Sequence, residues 1–144
     1  MKRHPALIPL SRFHRSMLFL ALIARENAPV IKGYPEKVDD RIRFAVNFYS
    51  EKLQSHFKQE SKIWEYVRMK HPALIPLIDE LQAERNEINL LFRSLSLEGS
   101  ETDFFALGPL LEKHVRKEER QLFQQIQSVA DENDLAWIES VLAN

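Results

Sequence analysis

The chain is expected to be all-α: an antiparallel up-down-up-down bundle of four helices, with a short further helix at the C-terminus. Three observations carry that expectation. Glycine occurs only three times in 144 residues. Apolar residues recur at steps of three and four and rarely alternate with polar ones, as a half-buried strand would require. Turn-forming residues gather at Asn27-Ala28-Pro29, Lys32-Gly33-Tyr34-Pro35, His71-Pro72 and Leu97-Glu98-Gly99-Ser100, dividing the sequence into four helical stretches. Short connections between long helices favour antiparallel neighbours. At 44% apolar, 144 residues supply one core and are too few for two ordinary domains, so residues 1–144 are read as a single domain.

The first helix is expected near Leu10-Ser11, with Ser11 as N-cap and Leu18, Ala21 and Leu22 turned inward, ending at Asn27-Ala28-Pro29. The second runs from about Val38 to Lys70, with Ile42, Val46, Tyr49, Leu53, His56, Glu60, Ile63 and Val67 on one stripe. His71-Pro72 breaks it, and Pro72 suits the first turn of a third helix, whose stripe is Ile78, Leu81, Ile88, Leu91 and Leu95. After a loop with a capping signal, Phe104, Leu107, Leu111, His114, Glu118, Phe123 and Ile126 mark the fourth. A terminal helix is expected over about 132–142. His4-Pro5-Ala6-Leu7-Ile8-Pro9-Leu10 recurs as His71-Pro72-Ala73-Leu74-Ile75-Pro76-Leu77. Two copies are too few for a solenoid, and the repeat reads as shared helix-start chemistry or a trace of paired halves.

Composition narrows the function classes. Twenty basic and 21 acidic residues leave a net charge of -1, which suggests neither a nucleic-acid surface nor an acidic tail. With no cysteine there is no disulfide, thiolate zinc site or iron–sulfur cluster, so any metal must rest on His, Asp and Glu. The apolar run Met17 to Ala24 is too short to span a bilayer and lacks a cleavage pattern. A soluble protein in the cytoplasm, with no membrane partner, is the expectation.

In an antiparallel bundle, residues level on neighbouring helices are symmetric about the intervening turn. His14 and His56 are symmetric about Pro35, His56 and position 85 about the Lys70-His71 break, and position 85 and His114 about Gly99-Ser100. Three histidines thus converge on one layer. A His and a Glu four apart share a helix face about 6 Å apart along the axis. That pairing occurs twice, as His56/Glu60 and His114/Glu118, and mixed imidazole and carboxylate ligation suits iron, manganese or zinc. His14 adds a third imidazole. His4 and His71, each before a proline, are read as surface or capping histidines. Glu119, beside Arg116, Lys117 and Arg120, is read as part of a solvated charged face, and Trp64, Phe104, Phe105 and Phe123 as packing.

Leu10-Ser11-Arg12-Phe13-His14, His56-Phe57-x-x-Glu60 and His114-Val115-Arg116-Lys117-Glu118-Glu119-Arg120-x-Leu122-Phe123 resemble the three principal signatures of hemerythrin-like HHE cation-binding domains. The resemblance covers about residues 5 to 130. It implies an antiparallel four-helix bundle holding an oxo- or hydroxo-bridged di-iron centre, with His14, His56, Glu60, His114 and Glu118 at the ligand positions. Related domains carry or sense dioxygen, or respond to iron or nitric oxide. The resemblance therefore implies an iron protein that binds dioxygen or senses oxygen, iron or redox state, rather than an enzyme.

One position departs from the pattern. Where the family usually supplies Glu-His on the third helix, this chain reads Glu84-Arg85-Asn86-Glu87-Ile88, and arginine has no lone pair to give a metal. Gln59 and Phe57 likewise stand where relatives often place acids. Three outcomes are open: Glu84 rotates in as a ligand, the site holds one metal or two with an open position, or Arg85 itself neutralises Glu60 and Glu118. The functional alternatives are an under-ligated iron oxidase or peroxidase and a metal-free bundle acting as a regulatory or partner-binding module.

Overall fold

In a computed structural model describing residues 2–143, a 3-10 turn, Pro5–Leu7, leads into α1 (Ile8–Ile23). The prolines set this start: Pro5 and Pro9 fix φ in the first turns, where the missing N–H costs nothing. His4 caps the turn, its Nδ1 accepting the Ala6 N–H at 3.0 Å. Helical structure thus begins before Ser11, which is not an N-cap; its hydroxyl instead donates to Glu119. The inward face of α1 is Leu10, His14, Met17 and Ala21, while Leu18 and Leu22 are only half-buried, a rotation from the expected stripe.

The second helix is interrupted, as α2 (Val38–Phe48), a π turn (Tyr49–Leu53) and α3 (Gln54–Lys70). The repeated heptapeptide then builds the same start again, with a 3-10 turn at Pro72–Leu74 followed by α4 (Ile75–Glu98), which ends on Gly99 at φ 64°. Ser100 caps α5 (Glu101–Lys117) through the Asp103 N–H, and a second π turn (Glu118–Leu122) passes into α6 (Phe123–Val129). A capping box between Asp131 and Asp134 opens α7 (Glu132–Leu142), the expected terminal helix.

Contacts at successive levels establish the up-down-up-down order. Arg41 reaches the Ile23 carbonyl at one end of the α1–α2 pair, and Phe13 stacks on His56 further along. Tyr49 meets Asn89, and Arg85 meets Ser61. Ser94 bonds Asp103, and Lys117 bonds Glu84. Arg3 bonds Gln127, closing α6 on the start of α1. Close approach of α1 and α5 depends on Gly108, where a Cβ would lie 2.9 Å from the Ala21 carbonyl oxygen.

Among the described residues, apolar packing forms two clusters. One includes Met17, Leu20, Phe92, Phe104 and Leu107; the other includes Leu7, Leu10, Ile63, Ile78, Phe123 and Ile138. The stretch Pro5–Ile23 is long and apolar enough, by length and composition, to cross a membrane, well beyond the Met17–Ala24 run. Its apolarity is matched by its place as one wall of the bundle.

Unlike His4, His71 does not cap its turn with its side chain, which has another structural task. Its Nε2–H donates to buried Asp134 at 2.9 Å, alongside Tyr66 Oη at 2.8 Å and Lys70 Nζ at 2.8 Å. Burial alone would raise the Asp134 pKa, but the three donors outweigh it and hold the carboxyl well below its usual range. With Trp137 stacked on Tyr66, this ties α7 to α3.

Candidate metal centre

Five buried polar side chains converge in the bundle interior. His14 comes from α1, His56 and Glu60 from α3, His114 from α5 and Glu118 from the π turn that follows it; none is more than 4% exposed. The inward atoms lie close together. His56 Nε2 is 3.6 Å from Glu60 Oε2, His14 Nε2 is 3.8 Å from Glu118 Oε2, and His114 Nε2 is 2.9 Å from Glu118 Oε1. They form two overlapping trios, His14/His56/Glu60 and Glu60/His114/Glu118, in each of which the ligand atoms lie within 4.8 Å of one another.

The opposite edges of two imidazoles are held by carboxylates. His14 Nδ1–H donates to Glu119 at 2.8 Å and His114 Nδ1–H to Glu84 at 3.1 Å. Each bond fixes the tautomer and leaves the Nε2 lone pair directed away from its carboxylate. This is the outer arrangement that orients imidazoles for a metal. His56 is instead positioned by packing, its ring stacked on Phe13 at 4.1 Å.

The inward atoms themselves are unsatisfied. His14 Nε2, His56 Nε2, His114 Nε2, Glu60 Oε2 and both Glu118 oxygens are buried without a hydrogen-bond partner. Buried polar atoms are rarely left this way, because each forfeits its hydration for nothing. So many lone pairs converging on one layer, with no donor reaching them, fit the binding of a cation there.

Electrostatics of the cluster follow from burial and charge. Burial raises the Glu118 pKa, and the nearby Glu60 carboxylate adds to the rise. Burial also opposes ionisation of Glu60, but the adjoining Glu118 carboxyl and the charges of His56 and Arg85 prevail and hold it low. The two carboxyls are thus pushed apart, Glu60 downward and Glu118 upward, as expected where two acids share one buried site. His56 is lowered to about 4 by burial, aided by neighbouring positive groups and opposed by Glu60. His14 goes the other way, since its bond to Glu119 and the charges of Glu118 and Glu60 overcome its burial. Glu84, despite burial, is held at about 2 by His114 and Lys117.

Residues 10–126 match the family described as hemerythrin HHE cation binding domain. This chain belongs to the hemerythrin HHE family. No curated protein and no solved structure gave a match. Within this hemerythrin-family bundle, all five residues expected as ligands reach the same layer.

Arg85 reaches it too, and its guanidinium occupies the Glu60 side. One nitrogen donates to Glu60 Oε1 at 2.6 Å and another to Ser61 Oγ at 2.5 Å. Its Cζ lies 3.7 Å from the Trp64 ring centroid and 4.8 Å from that of Phe57. The direct neutralisation is of Glu60; Arg85 makes no ion pair with Glu118 among the described residues. Trp64 is thus a cation–π partner as well as packing.

Two residues of this hemerythrin-family site have roles other than those expected. Glu84 does not rotate in as a ligand, because His114 and Lys117 hold both of its oxygens. Glu119 is not part of a solvated face. It accepts from His14 and Ser11 and pairs with Arg3 at 3.3 Å. The π turn beginning at Glu118 explains the change: its wider winding shifts the register, so that consecutive glutamates both serve the layer.

Proposed function

We propose that this protein is a non-haem iron protein that binds dioxygen or senses oxygen, iron or redox state through the His/Glu layer. The observation that carries the reading is the set of unsatisfied Nε2 and carboxylate atoms backed by Glu119 and Glu84. Imidazole nitrogen with carboxylate oxygen suits iron, manganese and zinc. Iron would supply redox chemistry and a coordination position for a small molecule. A cleft of about 290 Å³, lined by Leu10, Phe13, Glu51, Lys52, Gln59 and His56, opens on the α1–α3 side of the layer and would give a small molecule an approach to His56.

Intrinsic affinity for nitrogen and oxygen sites favours zinc over ferrous iron, so bound-metal competition would not isolate the iron role. The test is anaerobic loading with ferrous iron, removal of the excess, and admission of dioxygen while the visible spectrum is recorded. Retained iron and a spectral change lost in His56→Ala are expected. Iron that washes out, or a spectrum indifferent to dioxygen, contradicts the proposal.

A second reading draws support from the Arg85–Glu60 pair, which neutralises one buried carboxylate without any metal. On that reading the bundle is a metal-free regulatory or partner-binding module. It leaves the three Nε2 atoms and Glu118 without partners, and chelation separates it from the first.

A further inference from the structure

Two overlapping trios invite two ions, but they do not offer equal terms. Glu60 belongs to both, and one of its oxygens is already committed to Arg85 at 2.6 Å, leaving Oε2, which lies 3.6 Å from His56 Nε2. The trio with His56 contains two imidazoles. The trio with His114 contains one, and its Nε2 lies 2.9 Å from Glu118 Oε1.

Buried charge points the same way. With both carboxylates ionised, Glu60, Glu118 and Arg85 sum to one negative charge, all three being no more than 3% exposed. One divalent ion reverses this to a single positive charge. A second would bury three positive charges with no further acid in the layer, since Glu84 and Glu119 are already engaged with His114, Lys117, His14 and Arg3. Uncompensated charge in an apolar interior is expensive.

We propose that the centre holds one divalent transition-metal ion, on His14, His56 and Glu60 with Glu118 closing the set, and that the Arg85 guanidinium takes the charge and the Glu60 oxygen a second ion would use. His114 then stands outside the ligand set, its Nε2 2.9 Å from Glu118 Oε1, and fixes by packing where Glu118 can lie, as a positioning residue. The inference rests on the metal-binding reading above and deepens it.

The test is the stoichiometry of zinc, a redox-silent probe, measured by native mass spectrometry on the full chain. One ion per chain in the unaltered protein and two in Arg85→His are expected. Two ions in the unaltered protein, or one in both proteins, overturn the inference while leaving metal binding intact. No ion at all overturns the metal-binding reading itself and this inference with it. A second comparison stands even if Arg85→His folds poorly. His14→Ala is expected to lose the zinc and His114→Ala to retain one ion at weakened affinity, and the reverse order overturns the assignment.

Discussion

Replacing Arg85 with methionine is expected to destabilise the metal-free protein by about 3–5 kcal/mol, the usual cost of removing one partner from a buried ion pair. The pair it breaks is 2.6 Å long, between side chains 3% and 0% exposed. Methionine fills similar volume, so the loss reports the cation, with its pair to Glu60, its bond to Ser61 and its place over Trp64 and Phe57, more than the packing. Glu60 would be left with Glu118 and the imidazoles of His56 and His14 but no permanent cation, and its escape is to take up a proton, which the charges of His56 and Arg85 oppose in the unaltered protein. Adding Glu60→Gln to Arg85→Met should recover much of the loss, because the stranded charge is gone. A bound divalent ion should recover it by another route, replacing one cation with another. Urea unfolding of the three proteins, with and without zinc, measures both effects. A loss below about 1 kcal/mol for Arg85→Met, the value typical of exposed pairs, would show that Arg85 does not hold Glu60.

Metal removal carries the other large effect. An ion that binds only the folded chain stabilises it by about 4 kcal/mol when its free concentration is a thousandfold above Kd. At roughly 2–4 °C per kcal/mol for a chain of this size, chelation should lower Tm by about 8–16 °C, and added metal should restore it. The sensitivity follows from the location of the donors, because an ion on His14, His56, Glu60 and Glu118 would tie α1, α3 and the second π turn together through atoms that otherwise lack partners. The metal-free reading expects the same Tm with and without chelator. Calorimetry on the purified protein before and after chelation distinguishes them.

Much of this organisation was legible in the sequence. The stripe Leu53, His56, Glu60, Ile63 and Val67 is buried as periodicity requires, and the symmetry of His14, His56, position 85 and His114 about the turns placed four residues correctly in one layer. The repeated heptapeptide indeed builds the same 3-10 turn twice, since proline at its second and sixth positions dictates the local backbone. What escaped the sequence depends on helix winding and on long-range partners. Nothing in Tyr49–Leu53 or Glu118–Leu122 announces a π turn, yet the second one turns Glu119 toward His14 and Ser11. Ser11 looked like a cap because a serine stood near the start of an apolar pattern, whereas Pro5 and Pro9 start the helix earlier. Glu84 looked like a spare ligand because it neighbours Arg85, and only the position of Lys117 on α5 shows that it backs His114. Arg85 was legible as a departure; its hold on Glu60 rather than Glu118 needed coordinates.

The central claim is that the unsatisfied atoms of the His/Glu layer hold a metal ion. Anomalous scattering from crystals grown with zinc or iron tests it most directly. A single peak is expected at about 2.0–2.2 Å from His14 Nε2, His56 Nε2 and Glu60 Oε2, the usual range for these ligand types, with the Arg85 guanidinium still on Glu60 Oε1. A layer without a peak, in crystals whose metal sits only on surface carboxylates, would contradict it.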